Sequence, residues 1–279
     1  MATVVVGTGD YMFDVKRNWG KLPVGWEFRD VSGVGVDSQD RLYVYQRGEH
    51  PVVVFDRDGN FISSWGDRIT DDAHHIKIGP DDHAYLADRD GHQVYKFTLD
   101  GELVMSLGRK HYPSLQAPFN HPTCVAVAPT GEIYVSDGYA NSVVHKFAPD
   151  GELMFTWGSP GTGPGQFWVP HAIALDSEGL VYVADRENNR VQVFTPEGEY
   201  IREWGDVFVP TDIFIDRDDV CYMTERFTDR FHVFDKMGNL LARGRVEGEG
   251  HAVCADSRGD LYVAQMELRC VDKFVKRKP

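Results

Sequence analysis

The 279-residue chain carries 29 Lys and Arg against 43 Asp and Glu, a formal net charge of −14, with 42% hydrophobic residues. This balance is that of a soluble globular protein with a sizeable core, and it argues against nucleic acid or an anionic membrane as partner, because the basic run Lys276-Arg277-Lys278 is too short to offset the global field. No stretch approaches the roughly 18 apolar residues of a membrane span, and residues 1–7 lack the basic and apolar segments of a secretory leader, so a cytoplasmic chain is expected.

In chain order, residues 11–20 read first, as an extended strand closing on Trp19-Gly20. A pattern then recurs: apolar-x-apolar, an Asp-rich turn, apolar-Tyr-Val, a polar turn, apolar-x-x-Phe, Asp-Gly, and a closing Trp-Gly or Leu-Gly. Its copies span 33–66, 75–108, 124–158, 172–205, 212–244 and 252–274. Their shared tyrosines, Tyr43, Tyr85, Tyr134, Tyr182, Tyr222 and Tyr262, stand 42, 49, 48, 40 and 40 residues apart, the spacing of propeller blades. Within a copy the alternation has a period of two, as in residues 180–184 and 190–194, and Asp58-Gly59, Asp100-Gly101 and Asp150-Gly151 mark tight turns. The fold class is therefore all-β, a six-bladed β-propeller. The last copy lacks a fourth strand, and residues 11–20 resemble 200–205, so the ring is predicted to close by pairing the two ends. No linker divides the chain, which is predicted to be one domain over residues 1–279, with the Gly/Pro-rich stretch 159–165 as an inter-blade loop. Trp65, Trp157 and Trp204 are expected to pack between blades. Cys124, Cys221, Cys254 and Cys270 have no metal or redox spacing and are expected as buried thiols.

Eleven residues before each shared tyrosine stand Ser32, His74, Thr123, His171, Thr211 and His251. In a propeller this position begins the innermost strand, so alternate copies lie about 120° apart around the axis and three imidazoles face one another. Three histidines around one point, with a position left open, form the ligand set of a catalytic divalent metal, most often zinc. Any one of the eleven histidines is more simply an ordinary polar residue; the shared register in alternate copies favours a metal. His75, one residue out of register, is expected to face away. Four residues past the tyrosines come Arg47, Arg89, Gly138, Arg186, Arg226 and Met266, mostly behind an acid or amide. An arginine beside a metal suits a carboxylate-bearing small-molecule substrate; the alternative is an Asp-Arg pair serving the turn, which is the reading for Arg89 and Arg226. His121 is placed near the mouth of the third blade.

Residues 137–142 (Asp-Gly-Tyr-Ala-Asn-Ser), 163–167 with 169–175, 184–190 and 46–50 (Gln-Arg-Gly-Glu-His) resemble the peptidyl-α-hydroxyglycine α-amidating lyase family, the catalytic branch of the NHL-type six-bladed propellers. The likeness is strongest over residues 118–205. It implies a zinc ion held by His74, His171 and His251, an active-site tyrosine at Tyr139 and active-site arginines at Arg47 and Arg186. The implied reaction is cleavage of the C–N bond of an α-hydroxyglycine carbinolamide to an amide and glyoxylate. A phenol ionises near pH 10 in water, so Tyr139 needs neighbouring cations to serve as a base. Three departures stand out. Ala140 replaces a disulfide cysteine of secreted members, Val143 replaces an arginine, and Ala252 replaces an acidic residue that helps bind a structural calcium ion, which puts that calcium in question. A small-molecule or catabolic substrate is expected rather than a peptide hormone.

Two other readings stay open. Lactonase-like propeller hydrolases also use a metal, but hold calcium with carboxylate and amide oxygens rather than three imidazoles. A non-catalytic NHL interaction module would have no reason to place histidine in alternate blades.

Overall fold

Each repeat folds into an antiparallel sheet with its first strand innermost, because apolar residues alternate on two faces and both faces are covered by neighbouring blades. In the computed structural model, which describes residues 4–278, the innermost strands are Val31–Val36, Ala73–Ile78, Pro122–Val127, Pro170–Leu175, Pro210–Ile215 and Gly250–Ala255. They lie side by side around the axis. Blades 1 to 5 have four strands each. In the sixth, Tyr11–Lys16 pairs antiparallel with Cys270–Lys276, Phe13 opposite Lys276 and Lys16 opposite Lys273, so the two ends of the chain close the ring. The chain adds a further outer strand, Val4–Thr8, folded back by a hairpin at Gly9-Asp10. This strand stands outside the repeat, so the repeat pattern does not anticipate it. Residues 1–3, part of the 1–7 stretch on which the expectation of a cytoplasmic chain rests, and residue 279 lie outside the described residues. Among the described residues no helix is long and apolar enough to cross a membrane. All four cysteines are buried and free.

The repeated residues have definite structural work. All six shared tyrosines are buried, and a buried phenol needs a partner. In blades 1, 4, 5 and 6 the hydroxyl donates to the aspartate six residues earlier, Asp37, Asp176, Asp216 or Asp256, at 2.9–3.3 Å. The same aspartates accept turn amides, as Asp176 does from Glu178 and Leu180. One carboxylate thus fixes both the turn and the strand that follows it. Across the blade boundary, Trp65, Trp157 and Trp204 each lie on the Asp-Gly or equivalent turn of the next blade, over Gly101, Gly198 and Gly238. Those glycines have φ of +90°, +81° and +86°. Valines of blade 1 and Ala252, Cys254 and Ala264 of blade 6 share one apolar cluster, which seals the closure.

A Cβ at Gly198 would stand 2.8 Å from the Trp157 ring, at a φ that L residues rarely adopt. Gly198→Ala is therefore expected to destabilise the fold by about 2 kcal/mol, read from the urea midpoint at unchanged m; a loss under about 0.5 kcal/mol would contradict this role.

Candidate metal and active site

The axial residue of every blade is the extra residue of a β-bulge. In blade 2, Ala73 pairs with Asp88 and His75 with Ala87, leaving His74 unpaired; in blade 4, Pro170 pairs with Asp185 and Ala172 with Ala184, leaving His171. The same break isolates Ser32, Thr123, Thr211 and His251. A bulge turns one side chain out of the ordinary alternation. Here it aims the ring of six at the axis, from the second position of the strand rather than from its start.

His74, His171 and His251 form a nearly regular triangle, with ring centroids 4.9, 5.1 and 5.3 Å apart. One ring nitrogen of each lies within 4.8 Å of the other two. The Nδ1 atoms are already engaged: they lie 2.5 Å from the carbonyl oxygen of Thr123, 2.6 Å from that of Thr211 and 2.6 Å from that of Ser32. Each imidazole therefore donates from Nδ1 to the non-histidine blade beside it, which leaves Nε2 as an acceptor. The clamp continues around the ring. Thr211 donates its hydroxyl to the Gly250 carbonyl at 2.7 Å, the Thr123 hydroxyl lies 2.8 Å from the Pro170 carbonyl, and Arg47 Nε donates to the Ala73 carbonyl at 3.1 Å. These are the residues just before His251, His171 and His74.

Burial and the other imidazoles hold the histidines neutral. Burial first, then His251, pushes His74 well below the ordinary histidine value; burial, then Arg186, does so for His171; burial, then His75, brings His251 to about 3. Three neutral imidazoles presenting Nε2 suit a divalent zinc ion, with a fourth position facing the mouth.

Tyr139 closes over this triangle. Its oxygen lies 3.0 Å from Nε2 of His74 and 3.0 Å from Nε2 of His171, and accepts from Arg186 Nη1 at 3.3 Å. Blade 3 can deliver this residue because Gly138 stands where four other blades carry arginine and the sixth carries Met266. A Cβ there would lie 2.2 Å from the Pro170 carbonyl oxygen, so only glycine lets the loop press this close. A cavity of about 250 Å³ opens above, walled by Arg47, Arg89, Tyr139, Arg186, Arg226 and His251.

Of the turn reading of Arg89 and Arg226, the capping half holds and the pairing half does not: Asp88 accepts from the Gly91 amide and Glu225 from the Thr228 hydroxyl, but neither arginine pairs with the acid before it. The acid or amide before each arginine anchors the loop entering its own blade: Asp88 accepts from the amides of Asp71 and Asp72, Asp185 from Trp168 and Glu225 from Phe208. The arginines lean over the mouth instead. Arg89 pairs with Asp72 and Asp90, and its guanidinium lies 5.5 Å from the Tyr139 ring centroid, with that of Arg186 at 5.3 Å. Arg47 pairs with the same Asp72, and Arg226 with Glu249 at 3.0 Å. Arg89 and Arg226 share the register of Arg47 and Arg186, and that register is the sequence signal that would have placed them on the cavity wall. His121 packs on His92, with ring centroids 4.3 Å apart, and its Nε2 lies 3.9 Å from Asp90.

His75 does not face away either. The bulge at His74 breaks the alternation, so His75 also enters the channel and meets Asp212 of the opposite blade, with Nε2 3.1 Å from Oδ1. At the opposite mouth a larger cavity of about 480 Å³ is lined by aspartates. Of these Asp37, Asp216 and Asp256 fix turns, and Asp40 and Asp82 bind serines of adjoining blades.

The NHL repeat family model matches residues 119–147 and 167–194. A probable peptidyl-α-hydroxyglycine α-amidating lyase of Caenorhabditis elegans is 47% identical over 95 residues, covering 33% of this chain and 27% of that one. Human NHL repeat-containing protein 3 is 36% identical over 210 residues, covering 67% and 60%. Rat peptidylglycine α-amidating monooxygenase is 35% identical over 208 residues, covering 62% of this chain and 21% of that protein. The chain thus spans about a fifth of the length of the first curated relatives it matches.

Thr211→Val keeps shape but removes the donor to the Gly250 carbonyl. It is expected to destabilise by about 1–2 kcal/mol and to weaken zinc binding about tenfold or more in a chelator competition; unchanged zinc affinity would show that this hydroxyl does not position His251.

Proposed function

Because the chain belongs to the NHL-repeat propellers of the peptidyl-α-hydroxyglycine α-amidating lyase family, we propose that it is a zinc-dependent lyase acting on a small N-acyl-α-hydroxyglycine. The reaction breaks the bond between the amide nitrogen and the carbinol carbon. The hydroxyl loses its proton as its C–O bond becomes the glyoxylate carbonyl, and the nitrogen gains a proton, so an amide and glyoxylate leave with no water consumed. The observation that carries this reading is the Tyr139 oxygen, held 3.0 Å from two of the three histidine Nε2 atoms and 3.3 Å from Arg186 Nη1.

His74, His171 and His251 would hold zinc through Nε2. When bound, the metal supplies Lewis acidity toward the carbinol oxygen. Tyr139 receives the hydroxyl proton on its phenolic oxygen and returns it to the amide nitrogen as the C–N bond opens. Arg186 donates to that oxygen and holds it in place over the histidines. Arg47, fixed through Nε by Ala73 and Asp72, turns the rest of its guanidinium to the cavity and binds the substrate carboxylate, with Arg186 opposite. Arg89 acts on the tyrosine: with Arg186 it flanks the ring and keeps the oxygen over the histidines. A cavity of about 250 Å³ takes the hydroxyglycine part and little more, so the acyl group projects from the mouth.

Zinc-loaded protein is expected to release glyoxylate and benzamide in equal amounts from α-hydroxyhippurate. Tyr139→Phe should lower kcat about 100-fold or more, while Arg47→Gln should act chiefly by raising KM. No glyoxylate from the zinc-loaded wild type would overturn the reading.

A further inference from the structure

Directly beneath the histidine triangle the channel has a second layer, formed by the residue after each axial one: Gly33, His75, Cys124, Ala172, Asp212 and Ala252. Donor atoms of His75, Cys124 and Asp212 approach within 4.8 Å of one another, and all three residues are buried. The family resemblance implies a calcium ion in this region, with an acidic ligand at the position of Ala252. The residues here do not fit that ion. Calcium takes six to eight oxygen ligands, whereas this layer offers one carboxylate, an imidazole, a thiol and three residues without a polar side chain.

The lone carboxylate is, moreover, already neutralised. The amides of Ile213 and Val253 donate to Asp212 Oδ1 and Oδ2, each at 2.9 Å, and Lys77 reaches from the opposite blade to place Nζ 3.3 and 3.4 Å from the same two oxygens. Burial alone would raise the carboxyl, but His75 and Lys77 outweigh it and hold it at about 2. A buried carboxylate requires such a partner. A divalent ion entering the layer would meet the ammonium at the one oxygen donor it needs.

We propose that the cation of this second layer is the side chain of Lys77, a tethered ion standing where a metal would otherwise sit, so that the channel needs no calcium and takes metal only at the histidine triangle. The carboxylate of this layer stands in the fifth blade, not at the sixth-blade position of Ala252, and its counter-ion is part of the chain.

Two measurements test this independently of catalysis. In the wild type, metal analysis after dialysis against zinc and calcium together should find one zinc per chain and no calcium, and Tm should move by less than about 1 °C between excess EGTA and millimolar calcium. Bound calcium, or a calcium-dependent rise of several degrees, would overturn the proposal whether or not the protein releases glyoxylate. Lys77→Met should lower Tm by about 6 °C or more and admit a second zinc equivalent, on His75, Cys124 and Asp212. The same second equivalent should vanish in Lys77→Met/Asp212→Asn. Lys77→Met with unchanged Tm and one zinc would contradict the assignment; should that variant not fold, Lys77→Arg, expected to keep one zinc and no calcium, takes its place beside the wild-type measurement.

Discussion

The extra residue in each innermost strand is the constraint on which the site depends. Strict alternation would send every second side chain of that strand toward a neighbouring blade. The bulge releases one residue per blade from that rule and, repeated in every blade, creates a ring of side chains at a single height. Alternate occupancy then follows from hydrogen bonding. An imidazole at the axis must place its Nδ1 proton somewhere, and the nearest acceptor is the carbonyl of the adjacent axial residue. With histidine in every blade the ring would be crowded and the hydroxyl links lost. With Ser or Thr between, Thr123 and Thr211 also tie down the strand that follows, so three residues supply donor nitrogens and the other three keep them still.

Charge is sorted by depth. The chain is strongly acidic overall, yet its axis carries cations: four arginines at the mouth and Lys77 below. A global negative field repels an anion at long range, so the carboxylate binding we propose would have to be local. Each mouth arginine is held by at least one carboxylate, Asp72, Asp90, Glu187 or Glu249, which orders the guanidinium. Tyr139 sits where the metal site, Arg186 and Arg89 converge. The nitrogen-only donor set at the histidine triangle differs from the carboxylate-oxygen set that calcium takes.

Much of this was legible because a propeller writes its geometry into sequence spacing. Six tyrosines at blade intervals identify the second strand of each blade, and a fixed count back from them lands on the axial residues. What the spacing conceals is anything decided between strands. A bulge is a two-against-one pairing, invisible without the partner, so His75 was assigned away from the axis when it lies in the channel. The acids before Arg89 and Arg226 look like ion-pair partners of those arginines in sequence, but Asp88 accepts from the amides of Asp71, Asp72 and Gly91 and Glu225 from that of Phe208, while the arginines pair with Asp72, Asp90 and Glu249. Val4–Thr8 escaped because it belongs to no repeat. The meeting of Lys77 with Asp212 joins opposite blades 135 residues apart, a contact only ring closure creates.

X-ray absorption at the zinc edge of the metal-loaded protein tests the account most directly. If the bulges present three neutral imidazoles with Nε2 free, the spectrum will show three histidine nitrogens at about 2.0 Å and one further light ligand, with no sulfur. A sulfur shell at about 2.3 Å, which would place the ion on Cys124 in the layer below, or a coordination sphere of carboxylate oxygens, would contradict it.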